Sequence, residues 1–362
     1  MKPTPGRMSR ARERMAEVGI DALLLSVGPD LPYLTGYEAM PLERLTMFVL
    51  PLVGEPVLLV PRLEAPRVEP RPDLFTIETW DETDDPVARV ATIVGPVARV
   101  GIGDQTWARF VLALQRALPG TSFAPAHDVT ASLRTVKDDE EIAALRRAAH
   151  AVDEIAAAMR SVSFAGRREV DVHRELVERM LEAGHERANF AIVAAAANAA
   201  SPHHEASTRV IADGDVVLCD FGGTMNGYCS DITRMFVVGE PAPEVRDAYA
   251  VLVIAQEAGV QAATVGTPCA AVDAAARQVI ADAGYGEYFV HRTGHGIGTE
   301  AHEDPYIVAG NDETLRPGHA FSVEPGIYLP GRFGLRLEDI VVATDAGPDR
   351  LNRASRDLAI VA

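Results

Sequence analysis

Two aspartates sit inside an apolar, strand-like run. The segment "VLCDFGGTMNGYCSDITR" places Asp220 and Asp231 on either side of Asn226-Gly227. Asn-Gly is the preferred pair for a two-residue type I′ turn, because both central positions need positive φ. A hairpin closed there pairs Met225 with Tyr228 and Asp220 with Thr233. Side chains alternate along a strand, so Asp231, Thr233 and Asp220 share one face. The two carboxylates become diagonal neighbours, roughly 7–8 Å apart at the backbone. Two anions on a half-buried sheet face repel each other and lose hydration, which calls for something positive between them. Arg234 does not supply it, since its parity sends it to the opposite face.

A second acidic pair lies downstream. "HAFSVEPGIYLPGRFGLRLEDIVVAT" reads as two strands around a turn at Pro330–Gly334. With that loop centred on Gly331, Glu324 and Glu338 stand directly opposite each other, among Phe321, Val323, Leu335 and Leu337. Between the two pairs runs "HRTGHGIGTEAHE", with His291, His295 and His302. Imidazole is the usual nitrogen ligand for a divalent metal, and carboxylates suit harder cations. Four carboxylates and one neutral imidazole carry four negative charges, which two divalent cations cancel and one does not. The composition therefore favours a dinuclear centre with bridging carboxylates, whose two metals can hold a shared water and lower its pKa.

The 362 residues suffice for about two domains. Residues 1–132 alternate helix-like and strand-like runs ("DALLLSV", "MFVLPLV", "PVLLVP", "ARVGIG"), an α/β pattern. It opens on an amphipathic helix carrying Met8, Ala11, Met15 and Val18, and includes a buried hairpin turning at Gly54-Glu55. "HDVTASLRTVK" (127–137) is polar and aperiodic and reads as a hinge into the second domain, 133–362. There Asp138 and Glu141 resemble a capping box, and Ile142, Leu145, Ala149, Val152, Ile155 and Met159 form one stripe. Gly166–Gly184 and Gly266–Gly284 enclose similar helices 100 residues apart, each leading to a histidine-containing strand. Two readings are open: chance similarity between two Ala-rich helices, or a duplicated helix–helix–strand unit with a cleft between its halves.

A formal charge of −18 disfavours a nucleic-acid partner. No apolar leader or membrane span is expected, and the three cysteines form no CxxC pair or even framework, so the expected location is cytoplasmic. "GHGIG" lacks the strand–turn–helix setting of a dinucleotide fingerprint, and neither HExxH nor GxSxG occurs. His127, His150, His173, His185 and His319 have no site context and read as surface or structural residues.

The runs "CDFGG", "YCSDITR", "TGHGIG", "SVEPG" and "GLRLED" resemble the pita-bread metallopeptidases, the aminopeptidase P, prolidase and methionine aminopeptidase group. "RMAEVGIDALLLSVGPDLPYLTGYEA" looks like the creatinase-type N-terminal domain of the proline-specific branch. The likeness implies an α+β fold: a smaller α/β N-terminal domain, then a pita-bread catalytic domain with pseudo-twofold halves. It further implies a peptidase that hydrolyses the Xaa-Pro bond at the N-terminus of dipeptides or short peptides by a metal-bridged hydroxide. Asp220 would chelate one metal, Asp231 and Glu338 bridge both, and His295 and Glu324 complete the second. Glu324 would also handle the proton of the hydroxide. His203, His302 and His291 would contact substrate, and Arg336 would orient Glu338 or neighbouring acidic ligands. Manganese suits so carboxylate-rich a set, with cobalt or zinc open, and a homodimer is expected. Met235 stands where the family often has Thr, and His204 beside His203 leaves that assignment open by one residue. A metal-independent creatinase-like amidinohydrolase and a non-catalytic binding protein are the alternatives. Such relatives are expected to lose several of the five ligands, all present here.

Overall fold

In the computed structural model, which describes residues 3–362, the chain divides into two units, Met1–Arg134 and Thr135–Ala362. The first begins with α1 (Pro5–Val18). Thr4 caps it by accepting the Arg7 N–H, Pro5 occupies its first turn, and Met8, Ala11 and Met15 are its buried apolar residues. Strands β1 (Ala22–Leu25), β2 (Met47–Pro51), β3 (Val57–Pro61), β4 (Thr76–Trp80), β5 (Arg99–Ile102) and β6 (Ser122–Pro125) form one mixed sheet in the order β4-β3-β2-β1-β5-β6. Pairing is antiparallel at β1–β2 and β2–β3 and parallel elsewhere. Alternation sends Leu23, Phe48 and Leu58 into one core and Leu24, Val49 and Leu59 into another, so both faces are covered, as an α/β layer requires. Helices α2 (Asp30–Thr35), α3 (Pro86–Val94) and α4 (Ala108–Ala117) complete the layers.

The segment read as a hinge is instead a helix, α5 (His127–Thr135). Val129 and Leu133, four residues apart, are buried in the first unit's core. Arg134, which made the stretch look solvent-facing, is itself buried, 2.9 Å from Asp30.

In the second unit α6 (Asp139–Met159) starts on a complete Asp138/Glu141 capping box. The elements α7 (Glu169–Glu182), β7 (Arg187–Ala195), β8 (Val216–Met225), β9 (Tyr228–Cys229) and β10 (Ile232–Val238) form one half. The other contains α8 (Pro243–Ala262), α9 (Cys269–Asp282), β11 (Gly294–Gly296), β12 (Glu303–Ile307), β13 (Ala320–Val323), β14 (Gly326–Leu329), β15 (Phe333–Arg336), β16 (Asp339–Thr344) and β17 (Gly347–Arg350). Strand β18 (Ala359–Val361) returns to the first half's sheet, β18-β10-β8-β7, while the second half's sheet runs β12-β11-β13-β16-β17. The repeat is real at the level of backbone bonds. Gly166 and Glu169 donate to the carbonyls of Ile211 and Arg209, and Gly266 and Cys269 donate to those of Leu315 and Glu313. Two helices and an antiparallel three-strand core thus recur, giving the α+β domain of two related halves. Among the described residues no helix is long and apolar enough to cross a membrane.

Candidate metal centre

The hairpin closes as its sequence dictates. Asn226 and Gly227 have φ of 52° and 79°, Met225 pairs with Tyr228, and Asp220 with Thr233. Arg234 turns away from Asp231: it donates to Asp339 at 2.7 Å and to the Glu338 carbonyl at 2.6 Å.

Downstream, β13–β16 pairs Val323 with Asp339 and β14–β15 pairs Gly326 with Arg336, in one unbroken register. Glu324 and Glu338 therefore face each other in the gap between these ladders. The expected two continuous strands are four short ones, because Pro325 has no N–H to donate at the break. The turn is also shorter than expected. Gly331, at φ 73°, centres it, and Phe333 and Gly334 already belong to β15.

His295 on β11 completes the group. Its Nδ1 lies 3.1 Å from the Gly296 carbonyl, a contact that leaves Nε2 as the ring nitrogen facing the acidic group. Nε2 is 3.1 Å from Glu324 Oε1 and 3.8 Å from Asp231 Oδ2. Ligand atoms of Asp231, His295 and Glu338 all lie within 4.8 Å of one another. Asp220 faces the same cleft and takes a 2.5 Å hydrogen bond from Arg336 Nη2.

Burial first, then the neighbouring carboxylate charges, pushes Asp231 and Glu338 well above the usual carboxylate range. Asp220 is also raised, chiefly by burial, although Arg336 pulls against it. Glu324 goes the other way. Burial raises it, but the hydrogen bond and charge of His295, with help from His291 and Arg336, bring it down to about 2. The cluster is short of positive charge. Asp220 Oδ1, Asp231 Oδ1 and Glu338 Oε1 are buried with no hydrogen-bond partner. Buried carboxylate oxygens without donors are costly unless a cation satisfies them, so these residues fit divalent metal.

The acidic group opens on a cleft of about 940 Å³, which His203, His291, His302 and Arg292 also line. His291 Nε2 is 2.8 Å from the Tyr328 hydroxyl. The His302 ring lies tilted against that of His295, centroids 3.9 Å apart, and burial, reinforced by the His295 charge, lowers its pKa to about 4. His204 Nε2 lies 3.0 Å from Glu169, so of the two adjacent histidines His204 is the one tied back. Arg292 holds its guanidinium 4.4 Å over the Tyr306 ring.

Arg336 reaches Glu338 only indirectly. Its Nε donates to Thr233 Oγ1 at 3.2 Å, and Thr233 donates to Glu338 at 2.8 Å. Its Nη1 donates to Tyr328 at 2.8 Å. Sequence reasoning passed over Thr233 and Tyr328 as site groups. Thr233 was detectable, since parity already placed it opposite Asp220; Tyr328 carried no such signal. His173, set aside as lacking site context, lines the cleft with Nδ1 2.6 Å from the Ala191 carbonyl. Its helical neighbours gave no hint that this face of α7 meets the cleft.

Comparison with known proteins places these observations. The profile described as metallopeptidase family M24 matches residues 143–345, and that of the creatinase/prolidase N-terminal domain matches residues 7–136. A probable dipeptidase PepE from Mycobacterium tuberculosis is 44% identical over 361 residues, 98% of this chain and 96% of the relative. A Xaa-Pro dipeptidase from Lactobacillus delbrueckii subsp. lactis is 32% identical, with 98% of each chain covered. The crystal structure of a dipeptidase from Pyrococcus horikoshii superposes with a TM-score of 0.93 at 34% identity, covering 98% of this chain and all of that one.

Proposed function

Because the chain belongs to metallopeptidase family M24 and carries a creatinase/prolidase N-terminal domain, we propose that it is a metal-dependent Xaa-Pro dipeptidase. One observation carries the metal-dependent part: Asp231, His295 and Glu338 bring ligand atoms within 4.8 Å of one another, where buried oxygens of Asp231 and Glu338 have no hydrogen-bond partner. The proline preference rests on relatives that bear the name Xaa-Pro dipeptidase.

In this reading Asp220, Asp231, His295, Glu324 and Glu338 would together hold two divalent cations. Bound there, divalent cations would supply Lewis acidity, lowering the pKa of a water and polarising a carbonyl. The side chains do the rest. Glu324 accepts the proton released by the attacking water and, with His203, returns it to the imide nitrogen as the bond breaks. His302, held neutral by burial, donates a hydrogen bond to the oxyanion without bringing another charge. Arg336 holds Asp220 in place. Arg292 offers its guanidinium edge to the substrate carboxylate, which favours dipeptides over longer chains.

Manganese is the metal best matched to a set of four carboxylates and one imidazole. The reading extends to a homodimer in the cytoplasm, on the strength of the family likeness. A metal-independent amidinohydrolase would leave the same buried anions uncompensated, which argues against that alternative. The test compares Xaa-Pro, Xaa-Ala and Xaa-Pro-Yaa-Zaa peptides with chelated and manganese-reloaded protein. Metal-restored cleavage of Xaa-Pro is expected; preference for Xaa-Ala would overturn the proline assignment.

A further inference from the structure

We infer that Glu169, which lies outside the cleft wall, is the positioning residue of His203. The inference rests on the proposed role of His203. After β7 ends at Ala195 the chain makes one 3-10 turn (Ala196–Ala200) and then runs without regular structure through His203. Its backbone helps itself little: Ser201 donates to Asn198, and His204 to Ser201. Such a segment holds a side chain in place only if something else holds the segment.

Glu169 does so from one side. It is the first residue of α7 and is 0% exposed. Its Oε1 accepts the Ala195 N–H at 2.7 Å and the Asn198 amide at 3.0 Å. Its Oε2 accepts the Ser207 N–H at 3.0 Å and the Ser207 hydroxyl at 2.6 Å, and lies 3.0 Å from His204 Nε2. A single carboxylate thus ties both ends of the segment and the residue immediately after His203. From the other side, Arg336 Nη1 donates to the Pro202 carbonyl at 3.2 Å. His203 sits between these two anchors and lines the cleft.

The duplicated half differs at this position. Cys269 occupies the position of Glu169, 100 residues on, and makes the equivalent backbone bond to Glu313. There the connection after β11 carries His302 to the cleft wall, and the buried carboxylate of α9 is instead Asp273, which accepts the Thr293 N–H at 3.0 Å ahead of His295.

Five donors converge on two oxygens, so an isosteric amide cannot replace the carboxylate: its NH2 would face donors. The test is a double-mutant cycle on the manganese-loaded full chain, combining Glu169→Gln with His203→Ala. Metal content and thermal midpoint are measured on each variant. Glu169→Gln is expected to lower kcat about 10- to 100-fold, as misplacement of a substrate-contacting group does, with metal content unchanged. In the His203→Ala background it should cost at most about twofold more. Multiplicative losses would overturn the inference and leave the His203 reading standing. If His203→Ala alone leaves kcat/KM unchanged, the His203 reading fails and takes the inference with it. Should Glu169→Gln not fold, Asn198→Ala removes one donor and enters the same cycle, with a smaller loss expected and the same two outcomes deciding.

Discussion

Thr233 donates its hydroxyl hydrogen bond to Glu338 at 2.8 Å, although 105 residues separate them. The bond joins the hairpin of one half to the strand break of the other, and Arg336 donates into the same hydroxyl. Thr233 thereby fixes which Glu338 oxygen remains for a cation. Thr233→Val keeps the shape and removes the donor. Metal affinity should fall roughly 10- to 100-fold, the usual consequence of losing a group that orients a ligand. Thr233→Ser should restore most of it. Manganese titration of the three proteins reads this directly.

Asp231 should behave oppositely in activity and in the stability of the metal-free protein. Asp231→Asn is expected to abolish measurable hydrolysis, because it removes one of the proposed metal ligands. Without metal, however, burial and the charges of Glu338, Asp220 and Glu324 raise its folded-state pKa. An acid whose folded pKa lies above its unfolded value stabilises fully below the unfolded pKa and loses that contribution as pH rises toward the folded one. Chelated Asp231→Asn should therefore melt higher than chelated wild type, with the gap wider at pH 8 than at pH 5. Calorimetry at both pH values checks the sign.

Arg292 is argued to meet the carboxylate of a dipeptide. A charge-assisted hydrogen bond of about 1.5–3 kcal/mol corresponds to roughly 10- to 100-fold. Arg292→Ala should raise KM for an Xaa-Pro dipeptide by that factor and change KM for its C-terminal amide little. Equal effects on both substrates would remove Arg292 from substrate recognition.

Glu257, on α8, offers a test of stability remote from the cleft. The Arg350 hydrogen bond outweighs burial, and Gln261 and Arg356 add to it, lowering its pKa to about 2 from 4.5. Its side chain is 38% exposed, so screening reduces the gain to about 1 kcal/mol. A depressed folded pKa gives stability that is present above the unfolded value and lost as pH falls toward 2. Glu257→Gln should destabilise near pH 7 by about that amount, and the difference should shrink on acidification below 4.5.

The parts of the fold that were legible in sequence are those set by short-range rules. Asn226-Gly227 fixed a turn, the turn fixed a register, and the register put Asp220 and Asp231 on one face. Gly331 did the same for Glu324 and Glu338. The capping box at Asp138 and the 100-residue spacing of the two Gly-bounded helices were equally readable. What escaped depends on packing between distant segments. Val129 and Leu133 are too few to announce α5 until the core they enter is known. Tyr328 matters through His291 and Arg336, and His173 through the cleft it faces, which no local pattern encodes. Glu169 looks like an ordinary first-turn acid of a helix; only the fold brings five donors to it.

The central claim is that Asp220, Asp231, His295, Glu324 and Glu338 hold a pair of divalent cations on which hydrolysis depends. Equilibrium dialysis of the chelated full-length chain against manganese, with Xaa-Pro hydrolysis assayed on the same samples, tests it most directly. Two equivalents bound per chain and activity that rises with occupancy are expected. Full-rate hydrolysis by the metal-free chain, or saturation without any manganese retained, would contradict it.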